Sequence, residues 1–346
     1  MKNTIDQKIE KFNPNENGLR DHGIFGLPFN TDESKLVLLP LPWEATVSYK
    51  SGAATGPLAI LEASQQIDLF DPLYPDAWKK GIAMLPIDKK IILQNKITRK
   101  QVESYLKKYE KGITDKKLLN SINTESRVFN KYVFDKTLEQ INNNKIVGLV
   151  GGDHSCPLGY MQALATKYKN FGILHIDAHA DLRNAYEGMT YSHASIFYNA
   201  IQIPEVSKLV QIGIRDFCEQ ENKTAIESSG KVKMFTDYEI KKNLFEGSNW
   251  SLEAKKIVKE LPDNVYISFD IDGLLPYLSM NTGTPVLGGF SLNEMVYLFE
   301  EIVKSGRTII GFDLCEVAKG DNSEWDGNVG ARVLYKLCQI ALKEKI

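Results

Sequence analysis

Eight short apolar runs punctuate this chain, at residues 36–40, 82–86, 146–150, 172–176, 209–214, 232–235, 265–269 and 308–312. In most of them successive side chains on both alternating faces are apolar, which leaves neither face for water. Strands of that kind belong to a sheet covered on both sides, and helix-like stretches between them place the cover in the crossovers. The pattern predicts an α/β fold with a central, mostly parallel eight-stranded sheet between two helical layers. Helices are expected at residues 55–64, 125–143, 157–168, 252–261, 292–304 and 330–343, the first opening on a capping Thr55 and an early Pro57. The stretch 72–125 is the least regular, with a loop at 71–76 and a Lys-rich helix further on. Residues 1–34, polar and weakly periodic, read as an arm or lead-in packed on a neighbour, ahead of one catalytic domain at 35–346.

In parallel sheets, functional groups gather beyond the carboxyl ends of the strands. At three of these ends the sequence changes abruptly. After 172–176 come Asp177, His179 and Asp181, every second residue, so an extended chain leans all three the same way. Acids and imidazoles crowded there repel one another and resist desolvation unless a cation sits among them. After 146–150 come Gly151, Gly152, Asp153, His154 and Ser155; the paired glycines allow a tight turn and put His154 at the same edge. Neither a Walker lysine nor a GxGxxG spacing accompanies them, which argues against a phosphate loop. After 265–269 come Asp270 and Asp272. Each motif alone reads as a polar turn. Together they offer two imidazoles and four carboxylates, enough negative charge to balance two divalent cations. Oxygen-rich ligation with imidazole and no thiolate favours Mn²⁺, with Ni²⁺, Co²⁺ or Fe²⁺ as alternatives. Two such ions about 3.5–4 Å apart share a water and bring its pKa near neutrality.

Composition narrows the classes of partner. A net charge of −2 provides no basic field for nucleic acid or anionic membrane. No apolar run approaches the roughly 20 residues that span a bilayer, and the polar N-terminus shows no secretory h-region. Cys156, Cys218, Cys315 and Cys338 lack CxxC spacing and read as reduced thiols, so the expected location is cytoplasmic.

The three motifs, GGDHS at 151–155, DAHAD at 177–181 and SFDID at 268–272, resemble in order the metal motifs of the ureohydrolases, the arginase, agmatinase and formimidoylglutamase family. Gly283, Thr284 and Pro285, followed by Gly288 and Gly289, resemble the loop after the third motif, and the likeness runs from about residue 36 to the C-terminus. It implies an α/β/α fold and a trimer or hexamer. It also implies two metal sites, one held by His154, Asp177, Asp181 and Asp270 and the other by Asp177, His179, Asp270 and Asp272. Glu316 resembles the glutamate that pairs with the substrate guanidinium, a planar cation suited to two parallel charge-assisted bonds. His193, in the run 191–194, resembles a histidine near the metals, a candidate proton shuttle to the leaving amine. Asp181 is expected to share in proton handling. His175 falls on the Asp177 face and reads as support for the ligands; His22 has no assigned role.

The implied reaction is hydrolysis of a guanidino C–N bond to urea and an amine. The loop 181–193 and the run 42–57 are similar to agmatinases, and Arg183 stands where arginases show an asparagine. Agmatine is therefore the expected substrate, with Glu187 as the acid for its distal amine. The segment 321–328 and Leu275 depart from the agmatinase pattern. Trp325, nine residues after Glu316, is expected to reach the mouth and cover a small cation, which makes free guanidine the alternative. Formimidoylglutamate would need cationic groups for two carboxylates, and Arg183 is one. Arginine hydrolysis ranks lower on the agmatinase-like loops, and a silent metal-binding homologue ranks lower because neither a ligand nor Glu316 is lost.

Overall fold

Each of the eight apolar runs is a strand in the computed structural model, which describes residues 4–16, 23–47, 49–321 and 323–343. They are β1 (Leu36–Pro40), β2 (Ile82–Met84), β3 (Ile146–Val150), β4 (Phe171–Ile176), β5 (Val206–Ile214), β6 (Val232–Thr236), β7 (Asn264–Asp270) and β8 (Thr308–Cys315). They form one sheet in the order β2-β1-β3-β8-β7-β4-β5-β6, every neighbouring pair parallel. The chain leaves β4 towards β5 and leaves β7 towards β8, in opposite directions, so a crevice opens between their carboxyl ends.

The helices are α1 (Thr4–Lys11), α2 (Gly56–Ser64), α3 (Lys89–Tyr109), α4 (Lys116–Asn142), α5 (Leu158–Lys167), α6 (Ile196–Ala200), α7 (Glu219–Glu227), α8 (Asp237–Phe245), α9 (Trp250–Glu260), α10 (Leu292–Lys304) and α11 (Trp325–Ala341). Alternation along the strands sorts their side chains into two cores. Leu174, Ile176, Val265, Ile267 and Phe269 pack with residues of α2 and α8–α11. Phe171, Ile173, Val147, Leu149 and Tyr266 pack with residues of α3–α6. Burying a large apolar side chain contributes about 1.5–3 kcal/mol, and both faces are filled this way.

The helix ends differ from expectation where the local signal was hidden. Thr55 does not cap α2: its backbone is already helical, and its hydroxyl donates to the Gly52 carbonyl (2.6 Å). The irregular stretch is a helical hairpin. Asp88 caps α3 by accepting from Lys90 N (2.8 Å), and Asp115 starts α4 at Lys116, well before residue 125, by accepting from Leu118 N (3.0 Å). Charged exposed faces had masked the apolar stripe of Ile122, Phe129 and Val133. α11 starts at Trp325, five residues earlier than 330.

Much of the presumed arm lies against its own chain. Ile24, Phe25, Leu27 and Phe29 are buried in the first core, and the Phe12 ring sits 5.3 Å from Trp78. Lys8 holds Glu33 (2.7 Å) and the Pro28 carbonyl (3.0 Å). His22 lies outside the described residues. No helix among those described is long and apolar enough to cross a membrane.

Candidate metal centre and active site

Four neighbouring strands, β3, β8, β7 and β4, deliver the site at their carboxyl ends. The glycines after β3 prove to be needed for close approach. A side chain on Gly152 would overlap the Trp43 carbonyl, to which Asp153 N donates at 2.7 Å. That contact fixes the turn presenting His154. On β4 and β7 the short Asp loops close on themselves: Asp177 Oδ1 accepts from His179 N (2.6 Å) and Asp270 Oδ1 from Asp272 N (2.9 Å). Asp272 Oδ1 accepts from Ala178 N (3.0 Å) and joins the two ends.

The four expected carboxylates converge on the Nδ1 atoms of the two expected imidazoles. His154 Nδ1 faces carboxylate oxygens of Asp177 (2.9 Å), Asp270 (3.3 Å) and Asp181 (3.4 Å). His179 Nδ1 faces Asp272 (3.1 Å) and Asp177 (3.4 Å). Asp177 therefore stands between the two groups.

The electrostatics of this cluster test whether cations fit it. Burial opposes the charged imidazole of His154, yet Asp177, Asp181 and Asp270 together hold its pKa well above the usual value. The same opposition is overcome at His179, pushed up to about 12 by Asp272 and Asp177. Burial and then the Asp177 charge push Asp181 up to about 7, and burial with Asp272 and Asp177 raises Asp270 well above the carboxylate range. Balanced by protons alone, the carboxylates draw positive charge onto both imidazoles and still cannot all ionise. Divalent cations among nitrogen and oxygen donors would meet that demand, and the donor set fits them.

Beneath the cluster runs a polar row that sequence reasoning saw only in part. Gln211, His175, Ser268 and Asp313 are register partners across β5, β4, β7 and β8, all fully buried. The Ala180 carbonyl fixes the Gln211 amide (2.7 Å), whose nitrogen also donates to His175 Nδ1 (2.9 Å). His175 Nε2 then carries the proton that it gives to Asp177 Oδ2 (2.7 Å). His154 Nε2 meets Ser268 Oγ (2.9 Å), and Tyr266 donates to Asp313 (2.6 Å). One polar residue in register in each of four apolar strands was the available signal.

Glu316 follows β8 with φ 63°, and Asp181 has φ 51°, both in the left-handed region that costs non-glycine residues about 1–2 kcal/mol. Glu316 N donates to the Gly152 carbonyl (2.8 Å), and its Oε1 accepts from His154 N (2.9 Å). Burial and the nearby Asp153 raise its pKa well above the usual range. His193 opens a short 3₁₀ turn, with its N–H donating to Thr46 Oγ1 (3.1 Å). Burial and the charges at His179 and His154 hold it down to about 4, a neutral imidazole.

A cavity of about 480 Å³ joins these groups, with His154, His179, Asp181, Asp270, Glu316 and His193 on its inner surface. Its outer wall carries Tyr49, Arg183, Tyr186, Asp216, Glu221 and the segment 284–286. The arginase family matches residues 34–339. The chain belongs to the arginase family. Among curated relatives of this arginase-family ureohydrolase is the N(1)-aminopropylagmatine ureohydrolase of Thermus thermophilus, 29% identical and covering 83% of this chain and 84% of that protein. That of Thermococcus kodakarensis is 30% identical over 88% and 90%. The agmatinase of Halalkalibacterium halodurans is 28% identical over 84% and 86%. The solved agmatine ureohydrolase of Thermoplasma volcanium superposes with a TM-score of 0.71 at 20% identity, covering 97% of both chains, a likeness of fold. The arginase family holds a binuclear metal centre, and in this member the donor atoms of His154, His175, Asp177 and Asp181 lie close together, as do those of Asp177, His179 and Asp272.

Two expected site residues of this arginase-family chain do not reach the cavity. Trp325 is the first residue of α11, and its indole N–H is tied to the Tyr277 carbonyl (2.9 Å) on an exposed surface. The cavity lining leaves it out although it lies only nine residues after Glu316. Glu187 points away as well. Its backbone is left-handed (φ 54°), its carbonyl accepts from Tyr105 on α3 (2.9 Å), and burial with Glu110 raises its carboxyl pKa. Asp216, not singled out from the sequence, supplies an exposed carboxylate to the lining, whereas Glu221 is buried with its oxygens accepting from Leu182 N (3.0 Å) and Cys218 N (2.9 Å). Arg183 does line the cavity, 4.8 Å above the Tyr186 ring and 3.6 Å from Glu221.

Proposed function

We propose that this chain hydrolyses the guanidino group of a linear amine of the agmatine or aminopropylagmatine class, releasing urea and the amine. Its metals on this reading are two divalent ions, manganese first and nickel next. The observation that carries the substrate class is the course of the cavity. It runs from Glu316 and the donor cluster past Arg183, whose charge Glu221 faces at 3.6 Å, to the exposed carboxylate of Asp216. A cationic tail suits that carboxylate. The names of the relatives support the same class, and Trp325, bonded to the Tyr277 carbonyl and absent from the cavity lining, lends no support to free guanidine.

The residues divide the work as follows. Metal ions held by His154, Asp177, His179, Asp181, Asp270 and Asp272 would supply Lewis acidity and an acidified water. Glu316, fixed by the His154 amide, accepts guanidinium N–H groups and aims the central carbon at the cluster. Neutral His193 accepts a proton and passes it to the leaving amine. Asp181, which also lines the cavity, takes part in proton handling beside it.

The test is urea release by metal-loaded protein from agmatine, aminopropylagmatine, guanidine, 4-guanidinobutyrate and arginine. The two amines should show the highest kcat/KM. Preference for guanidine or for either acid would overturn the substrate assignment.

A further inference from the structure

We infer that the α3–α4 hairpin is a positioning element for the reaction, acting through Tyr105 and Asn123 on the wall loop between Arg183 and His193. The inference rests on the proposed function, because that loop carries wall groups of the same cavity. Arg183 and Tyr186 line the cavity at one end of the loop, and His193 and Ala194 at the other. Between them the backbone is left-handed at Ala185, Glu187 and Gly188, with φ of 51°, 54° and 85°. Two of these residues are not glycine, so the turn persists only where its surroundings impose it.

The hairpin supplies those surroundings. Tyr105 Oη donates to the Glu187 carbonyl (2.9 Å). Asn123 grips the next turn from both sides, its Nδ2 donating to the Gly188 carbonyl (3.3 Å) and its Oδ1 accepting from Thr190 N (2.9 Å). Fully buried Met189 plugs a small core made with Val102, Tyr105 and Ile122, separate from the two main cores. At Gly188 the approach is so close that a Cβ would lie 2.9 Å from Leu119 Cδ2. On the opposite side, Ser195 Oγ accepts from Tyr186 N (3.0 Å) and Thr46 Oγ1 from His193 N (3.1 Å). The loop is thus held between the site and the hairpin. The hairpin itself contributes no residue to the cavity lining, so its influence must pass through the loop.

Asn123→Ala removes both asparagine bonds, and Tyr105→Phe removes one while keeping the ring in its core. Both are measured in the metal-loaded full chain by hydrogen exchange, metal content and steady-state kinetics on the guanidino substrate that the wild type prefers. In Asn123→Ala the Thr190 amide should exchange about tenfold faster, since its acceptor is gone. KM should rise about five- to tenfold with kcat falling less than about threefold, and metal content should not change. Tyr105→Phe should move KM the same way by less. A merely structural loss would reduce the active fraction and leave KM in place. Unchanged KM in both variants, or unchanged exchange at Thr190, overturns the inference. A wild type that releases urea from none of the compounds overturns the proposed function instead, and the exchange of Thr190 then decides the hairpin's hold on the loop.

Discussion

At the floor of the cavity, the donors of the cluster come from the ends of adjacent strands, each within a few residues of a hydrogen-bonded ladder. Elsewhere in its lining, Tyr49, Arg183, Tyr186, Asp216 and Val286 come from separate loops braced by side chains, some near and some far off in sequence. Glu44 accepts from Gly52 N (2.7 Å) and Ala54 N (3.0 Å), bracing the loop of Tyr49, while Arg215 binds the Val286 carbonyl (3.0 Å). Asp326 in the first turn of α11 accepts from Asn281 N (2.8 Å) and pins the loop before residues 284–286. The floor is therefore stiff and chemically specified, and the rest of the lining depends on those supports. On the proposed function, reaction chemistry belongs to the first and substrate choice to the second.

The largest expected effect is at the floor. Asp270→Ala removes a carboxylate 3.3 Å from His154 Nδ1, and elemental analysis should fall from about two metals per chain to about one or fewer. Two metals retained would break the assignment of the floor. Next comes Glu316→Gln, which keeps the shape and loses the charge. Charge-assisted bonds contribute about 1.5–3 kcal/mol each, so kcat/KM should drop about a hundredfold with metal content unchanged. A parallel loss of metal would move Glu316 from substrate binding to ligation. The smallest effect is Trp325→Ala, outside the cavity. Substrate ranking should hold, and stability should change by no more than about 1 kcal/mol, the scale of one exposed hydrogen bond and partial packing. A reordering of guanidine and agmatine would bring the indole back to the mouth.

Strand positions and the donor cluster were legible because both are local. Apolar runs of five or six residues state which segments are buried. The motifs at 177–181 and 270–272 follow two of them directly, which puts their donors at strand ends, although β4 stops at Ile176 and Asp272 lies in a 3₁₀ turn rather than in extended chain. The order of the motifs identified the family for the same reason. The polar row of Gln211, His175, Ser268 and Asp313 depends on register between strands far apart in the chain, which no single segment encodes. Whether Trp325 or Glu187 reaches the cavity depends on loop paths. A helix starting at Trp325, and a left-handed turn at Glu187 under Tyr105, sent both side chains elsewhere. Side-chain alternation within one strand is set by the chain's own covalent geometry. The meeting of loops is set by packing between elements, and only the tertiary structure fixes that.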